Sequence, residues 1–171
     1  MKDKILEYMN QEIEAVHQGM TGFIGIKINS LTDKEIIDKL IECSKEGVQI
    51  QLIVRGICCL VPDIKGHTEN ISVISIVGRF LEHSRIYIFG TAQRDHIFIA
   101  SADFMTRNME RRVEIAAPIY DEGLKERVRN IFHIMQCDTV KAKQLTKSGK
   151  YKRRDTKMLK VMDSQEYLCK N

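Results

Sequence analysis

Ile5, Met9, Ile13, Val16 and Met20 recur at intervals of four, four, three and four residues. That is the repeat of one helix face, and it predicts an amphipathic helix over residues 3–18. Gly19 and Gly22 break the pattern. Residues 22–29 then alternate, with Phe23, Gly25 and Lys27 on one side and Ile24, Ile26 and Ile28 on the other. Period-two alternation predicts a strand with one buried face. Thr32-Asp33-Lys34-Glu35 reads as a capping box ahead of Ile36, Ile37, Leu40 and Ile41, and Gly47 ends the helix it opens. Residues 48–55 form the next apolar run. A strand, a helix and a strand within about thirty residues imply parallel pairing. Arg55-Gly56 therefore falls at a strand's carboxyl end, where open α/β sheets place their ligands.

Residues 56–70 are punctuated by Gly56, Pro62, Gly66 and Asn70 and read as a loop. Strands are predicted at 71–77, 85–89, 96–101 and 112–119, the last ended by Pro118 or just beyond. Residues 121–136 predict a helix with Leu124, Val128, Ile131 and Met135 on one stripe. Beyond Cys137 the pattern fades. An edge strand over 139–145 and a short helix within 157–168 are expected. The order of elements gives an α/β fold. A helix over 1–20 leads into a domain over 21–138, followed by a basic extension over 139–171.

Of the 171 residues, 43% are hydrophobic and 29% charged, which suits one globular domain with a sizeable core. The first residues carry acids and no long apolar core, unlike a signal peptide, and no apolar run approaches a membrane span. Cys43, Cys58, Cys59, Cys137 and Cys169 form no C-x-x-C pair. An odd, scattered set suggests reduced thiols and a cytoplasmic location. The net charge of +4 is unevenly spread. Residues 141–160 hold nine Lys or Arg against the one acid Asp155, giving that segment +8 and the rest −4. Such a stretch suits a polyanionic partner or a solvated tail.

The densest chemistry lies in residues 76–89, where His83 and Arg85 sit two positions apart beside an apolar run. At that spacing on a strand both side chains share a face. An imidazole can attack, protonate or hydrogen-bond a phosphoryl group, while a guanidinium holds its oxygens through a planar fork. Arg55 is suited to the same task. His17, His67, His96 and His133 lack metal-ligand spacing. No G-x-x-x-x-G-K-[ST] loop is present, so nucleotide binding would not be of the P-loop kind.

Three ordered segments carry a resemblance to a known family: Leu52-Ile53-Val54-Arg55-Gly56-Ile57-Cys58-Cys59-Leu60, the run from Ser75 through Phe80-Leu81-Glu82-His83 to Phe89, and the run from Ser101-Ala102-Asp103 to Glu114. From about Ile13 to about Lys143, the chain resembles the last catalytic domain of the bacterial polyphosphate kinases. The resemblance implies a phospholipase-D-like mixed sheet flanked by helices. It implies reversible transfer of the ATP terminal phosphate to polyphosphate through a phosphohistidine in an H-x-K motif of the preceding domain. The chain begins downstream of that motif and of the family's Mg2+ positions, so it is expected to be a C-terminal piece, inactive alone. Within it, the resemblance assigns Arg55 and His83 to nucleotide phosphates, His83 as an auxiliary catalytic group and not the phosphorylated nucleophile. ATP or ADP, polyphosphate and the upstream domains are the implied partners, with a homo-oligomer possible in the family and no specific nucleic acid.

The superfamily pattern H-x-K-x4-D is only partly kept, since Arg85 stands at the lysine and Gly90 at the aspartate. Asp103 replaces the asparagine of the G-S-x-N element. It is expected to orient His83 or an arginine, and Arg85, Arg107 and Asp103 are secondary site candidates. Two alternatives stand beside the kinase reading: a non-catalytic polyanion-binding module built on the 141–160 cations, and a phospholipase-D-like phosphodiesterase that dimerises to pair two His83 side chains.

Overall fold

The computed structural model describes residues 1–91, 93–154 and 160–170. Helix α1 (Lys2–His17) buries Ile5, Met9 and Ile13, while Met20 lies past the helix end and is exposed. The strand that follows, β1 (Phe23–Ile28), is covered on both faces rather than one. Ile24, Ile26 and Ile28 pack under α1 and α2 (Lys34–Lys45), and Gly25 lies against Phe132 on the opposite side. Lys27, on that second face, is fully buried. Helix α2 is capped by Asp33, whose side chain accepts from the Ile36 amide, so the cap falls one residue later than the Thr32 start of the predicted box.

Strand β2 (Gln49–Val54) pairs parallel with β1, and β3 (Ile71–Ile76) pairs parallel with β2. Strands β4 (Arg85–Phe89) and β5 (His96–Ala100) form an antiparallel hairpin that attaches to the other side of β1. After the short α3 (Thr106–Glu110), β6 (Ala116–Ile119) forms one sheet edge. It starts four residues later than the predicted 112, and Pro118 lies inside it, tolerated because an edge strand has a free side. Helix α4 (Glu122–Gln136) packs Phe132 and Met135 on the second face of the sheet. Leu124, expected on the apolar stripe, is exposed.

Strand β7 (Ala142–Leu145) pairs antiparallel with β3, and β8 (Tyr151–Arg153) pairs with β7. The predicted strand at 139–145 is therefore an inner strand, and the edge belongs to a strand the sequence reading did not contain. The sheet order is β6-β5-β4-β1-β2-β3-β7-β8. Helix α5 (Ser164–Lys170) packs beside α4. The start of the predicted 157–168 helix, residues 157–159, lies outside the described residues, as does Lys157 of the cationic segment. Among the described residues no helix is long and apolar enough to cross a membrane. All five cysteines are free thiols.

Candidate functional site

Strands β1 and β2 run parallel, so their carboxyl ends open on the same side and bring together the residues that follow them. Asn29 and Ser30 come from β1, and Arg55 and Ile57 from β2. With His83 and Arg85 from the start of β4, and Asp103, Arg107, Arg112 and Glu114 from the segment after β5, they line one cavity of about 580 Å³. Four guanidinium groups and an imidazole face two carboxylates there, a net cationic lining that suits an anion.

Gly56 allows this convergence. Its amide donates to Asn29 O at 2.7 Å, and a Cβ at Gly56 would lie 2.9 Å from that same oxygen. The β1 and β2 ends thus approach more closely than any other residue permits. Arg55 is anchored by its backbone: its carbonyl accepts from Ser75 Oγ at 3.1 Å. Its guanidinium makes no ion pair or hydrogen bond among the described residues.

Arg85 is held in the opposite manner. Nε donates to Asp103 Oδ1 at 3.2 Å and Nη2 to Oδ2 at 3.1 Å, a two-pronged pair. Asp103 Oδ1 also accepts from the Asn29 amide at 2.7 Å and from Asn29 Nδ2 at 3.1 Å. Burial pushes the Asp103 carboxyl up, but the Arg85 and Asn29 donors outweigh it and hold the group below the usual carboxylate range. Asp103 therefore orients Arg85 and Asn29, and it makes no bond to His83. Arg85 makes that contact: Nη1 and Nη2 lie 3.4 Å from His83 Nδ1 and Nε2 respectively. Nη1 also donates to the His83 carbonyl at 3.2 Å, so the guanidinium meets this residue at both its ring and its backbone. His83 precedes β4 and is exposed, with its ring resting on Arg85.

All five sequence-derived site residues (Arg55, His83, Arg85, Asp103 and Arg107) reach this cavity. Asn29 does too, unforeseen because a polar residue after a strand carries no motif. It is buried and its Oδ1 has no hydrogen-bond partner among the described residues, leaving one acceptor at the cavity wall. Glu114 accepts from Ser101 and Asn108, and those bonds lead in holding its carboxyl below the ordinary range. Among the described residues no three His, Cys, Asp or Glu side chains gather as a metal site. The cavity does not fit Mg2+, because Asp103 is committed to Arg85 and Asn29, and Glu114 to Ser101 and Asn108.

At the place of the superfamily aspartate, Gly90 turns with φ +94°, and a Cβ there would meet Arg94 O at 2.9 Å. A side chain at that position is excluded by the tight β4–β5 turn. The cationic segment divides as well. Lys141 pairs with Asp163 at 3.1 Å and Arg154 donates to Asp138 O at 2.9 Å, so both are structural. Lys143, Lys147, Lys150, Lys152 and Arg153, on or beside the β7–β8 hairpin, are exposed and make no ion pair among the described residues.

This mixed sheet, with helices on both faces and a cationic cavity at the strand ends, defines a phospholipase-D-like α/β domain. Two solved structures share the fold: NucT from Helicobacter pylori (TM-score 0.55, 15% identity, covering 76% of this chain and 87% of that one) and the phospholipase D family member Nuc from Salmonella typhimurium (TM-score 0.53, 14% identity, 84% and 90%). The chain itself belongs to the polyphosphate kinase family, with residues 1–165 matching Polyphosphate kinase C-terminal domain 2. It is 51% identical over 152 residues to the polyphosphate kinase of Halalkalibacterium halodurans, covering 89% of this chain and 22% of that protein. With the enzyme of Lactiplantibacillus plantarum it shares 47% over 165 residues, 96% of this chain and 23% of the relative. The crystal structure of polyphosphate kinase from Porphyromonas gingivalis superimposes with TM-score 0.95 at 38% identity, over 99% of this chain and 26% of that one. The chain thus spans about a quarter of the length of these relatives.

Proposed function

We propose that this chain is the phosphate-holding C-terminal part of a polyphosphate kinase, which moves the terminal phosphate of ATP reversibly onto polyphosphate. Arg55 and His83 bind the nucleotide or polyphosphate phosphates, and the phosphohistidine belongs to a domain upstream. The carrying observation is the Arg55 guanidinium, unpaired among the described residues, lining the same cavity as the contacting His83–Arg85 pair. Phosphoryl transfer relies on positioning and on neutralising charge at the oxygens, so such groups contribute without forming a bond. Arg55 takes two oxygens with its fork, and His83 hydrogen-bonds or protonates an oxygen. Arg85, fixed by Asp103, backs the His83 ring, and Arg107 adds charge at the mouth.

On this reading, residues 21–138 hold the phosphates, with residues 1–20 leading in and 139–171 as a basic extension. The upstream domains complete the site in the cytoplasm, and the whole enzyme uses Mg2+ at positions outside this chain. The phosphodiesterase alternative is disfavoured by Arg85 and Gly90 at the lysine and aspartate places. The polyanion-module alternative draws support from the exposed hairpin cations, which make no ion pair among the described residues.

The test is calorimetric titration of the chain with ATP and with polyphosphate of defined length, followed by turnover with the upstream domains supplied in trans. Arg55→Ala and His83→Ala should each weaken binding and abolish the trans activity. Unchanged binding in both variants, with loss only when the hairpin lysines are neutralised, would instead establish the polyanion module. Phosphodiester hydrolysis by the chain alone, lost in His83→Ala, would establish the phosphodiesterase.

A further inference from the structure

The loop carrying His83 is gripped on both sides by buried polar groups that the phosphate site does not itself use. From β1, Lys27 Nζ donates to Ser84 Oγ at 2.9 Å, Ser84 O at 3.0 Å and Glu82 O at 3.3 Å, and pairs with Glu82 Oε2 at 3.3 Å. These bonds fall on the two residues flanking His83. Burial pushes the Lys27 ammonium down, and Glu82 only partly offsets it. A lysine in a central strand is costly to bury, and here it is spent on one loop. From α5, Gln165 Nε2 donates to Glu82 Oε1 at 2.8 Å and Phe80 O at 2.9 Å, while its Oε1 accepts from the Phe80 amide at 3.2 Å. Gln165 is 3% exposed, and every polar atom of its amide reaches this loop.

Two further observations show that the grip is built. Helix α5 is tied down by the fully buried Asp138, whose Oδ2 accepts from the Ser164 amide at 2.8 Å and Ser164 Oγ at 2.7 Å. At the other end of the loop, a Cβ on Gly78 would fall 2.4 Å from Gln165 Oε1. With Gln165 in its present position, the loop backbone and the amide lie too close for a Cβ at Gly78.

We propose that Lys27 and Gln165, meeting on Glu82, are positioning residues for His83, so that the C-terminal helix α5 sets the geometry of the phosphate site from outside it. Lys27 fixes the backbone on either side of the histidine. Gln165 fixes Glu82 and Phe80, which lead into it. The His83 ring then rests against Arg85 in one orientation. This inference rests on the proposed role of His83 only in its binding readout.

The test uses the full chain and three variants: Gln165→Ala, the double Lys27→Met/Glu82→Gln, which removes the buried charges together and so protects folding, and Gln165→Asn, whose shorter amide cannot span both partners. The first readout is the NMR signal of the His83 imidazole at fixed pH without ligand. The second is the Kd for ATP, measured also in a His83→Ala background. Displaced His83 ring signals are expected in all three variants. Affinity for ATP should fall about 3- to 10-fold, the worth of a misplaced hydrogen bond, and the fall should vanish in the His83→Ala background because the effect passes through His83. Unmoved His83 signals in the variants would overturn the inference, as would the same loss of affinity with and without His83. If His83→Ala alone leaves ATP affinity unchanged, the functional role of His83 fails, while the NMR readout still decides the positioning.

Discussion

Arg85 and Asp103 meet as a two-pronged ion pair, with Nε and Nη2 on the two carboxylate oxygens at 3.2 and 3.1 Å. Their side chains are 15% and 11% exposed, so neither end has water as an adequate replacement. Removing the carboxylate strands a half-buried guanidinium and frees the Asn29 amide. Asp103→Ala is expected to cost about 2–4 kcal/mol, just under the range for a fully buried pair. Urea unfolding measures it; a loss below about 0.5 kcal/mol would mean the pair is not structural.

Arg55→Ala should behave in the opposite way. The guanidinium has no partner among the described residues, so stability should change by less than about 0.5 kcal/mol. Affinity for ATP or polyphosphate should drop about 10- to 100-fold, the worth of a charge-assisted contact. Paired denaturation and calorimetry separate the two effects, and a destabilised variant with intact affinity would contradict both expectations.

Gly56→Ala forces a Cβ to within 2.9 Å of Asn29 O, a backbone atom that cannot swing aside. The ends of β1 and β2 must part. About 1–3 kcal/mol of destabilisation is expected, with weakened ATP binding because Arg55 and Asn29 shift relative to one another. Equal stability and equal affinity in the variant would show that the strand ends are looser than this contact implies.

Acid should weaken the fold through Asp103 and Asp138. Burial raises both carboxyls. In Asp103 the Arg85 and Asn29 donors win, and in Asp138 the Ser164, Ala142 and Lys141 donors win, so both lie below their ordinary value. The unfolded chain therefore takes up these protons first as the pH drops. The stabilisation is complete above the ordinary aspartate value of about 3.9 and is lost as the pH falls through the lower folded values. Unfolding free energies measured from pH 7 down to pH 2 should decline in that window, and less steeply in Asp138→Asn. An identical acid decline in the variant would exclude Asp138 as a contributor.

The succession of elements was legible because period-two and helical repeats act over a few residues. The segments 22–29, 48–55 and 85–89 were read within a residue or two of β1, β2 and β4. Arg55, His83, Arg85, Asp103 and Arg107 were legible as candidates through ordered motifs, and all line the cavity. Less visible was the role of each group. Asp103 could have faced His83 or an arginine, and only the crossing of the β1 end with the segment after β5 directs it to Arg85 and Asn29. The late start of β6, the inner position of β7 and the existence of β8 also escaped, because strands of three and four residues leave almost no periodic trace.

By itself the sequence determined most of the segments that become strands and helices and which residues are candidates for phosphate chemistry, since both are written in short-range spacing and in ordered motifs. Tertiary structure decided what surrounds those residues. Lys27 reads as the solvent-side member of an alternating strand, yet α4 and the 82–84 loop close over that face and bury it against Glu82. Gln165 lies 82 positions beyond His83 in the chain and reaches its loop only because Asp138 anchors α5 there. Hydrogen bonds between groups so far apart depend on how the sheet is ordered and covered, which no local pattern specifies.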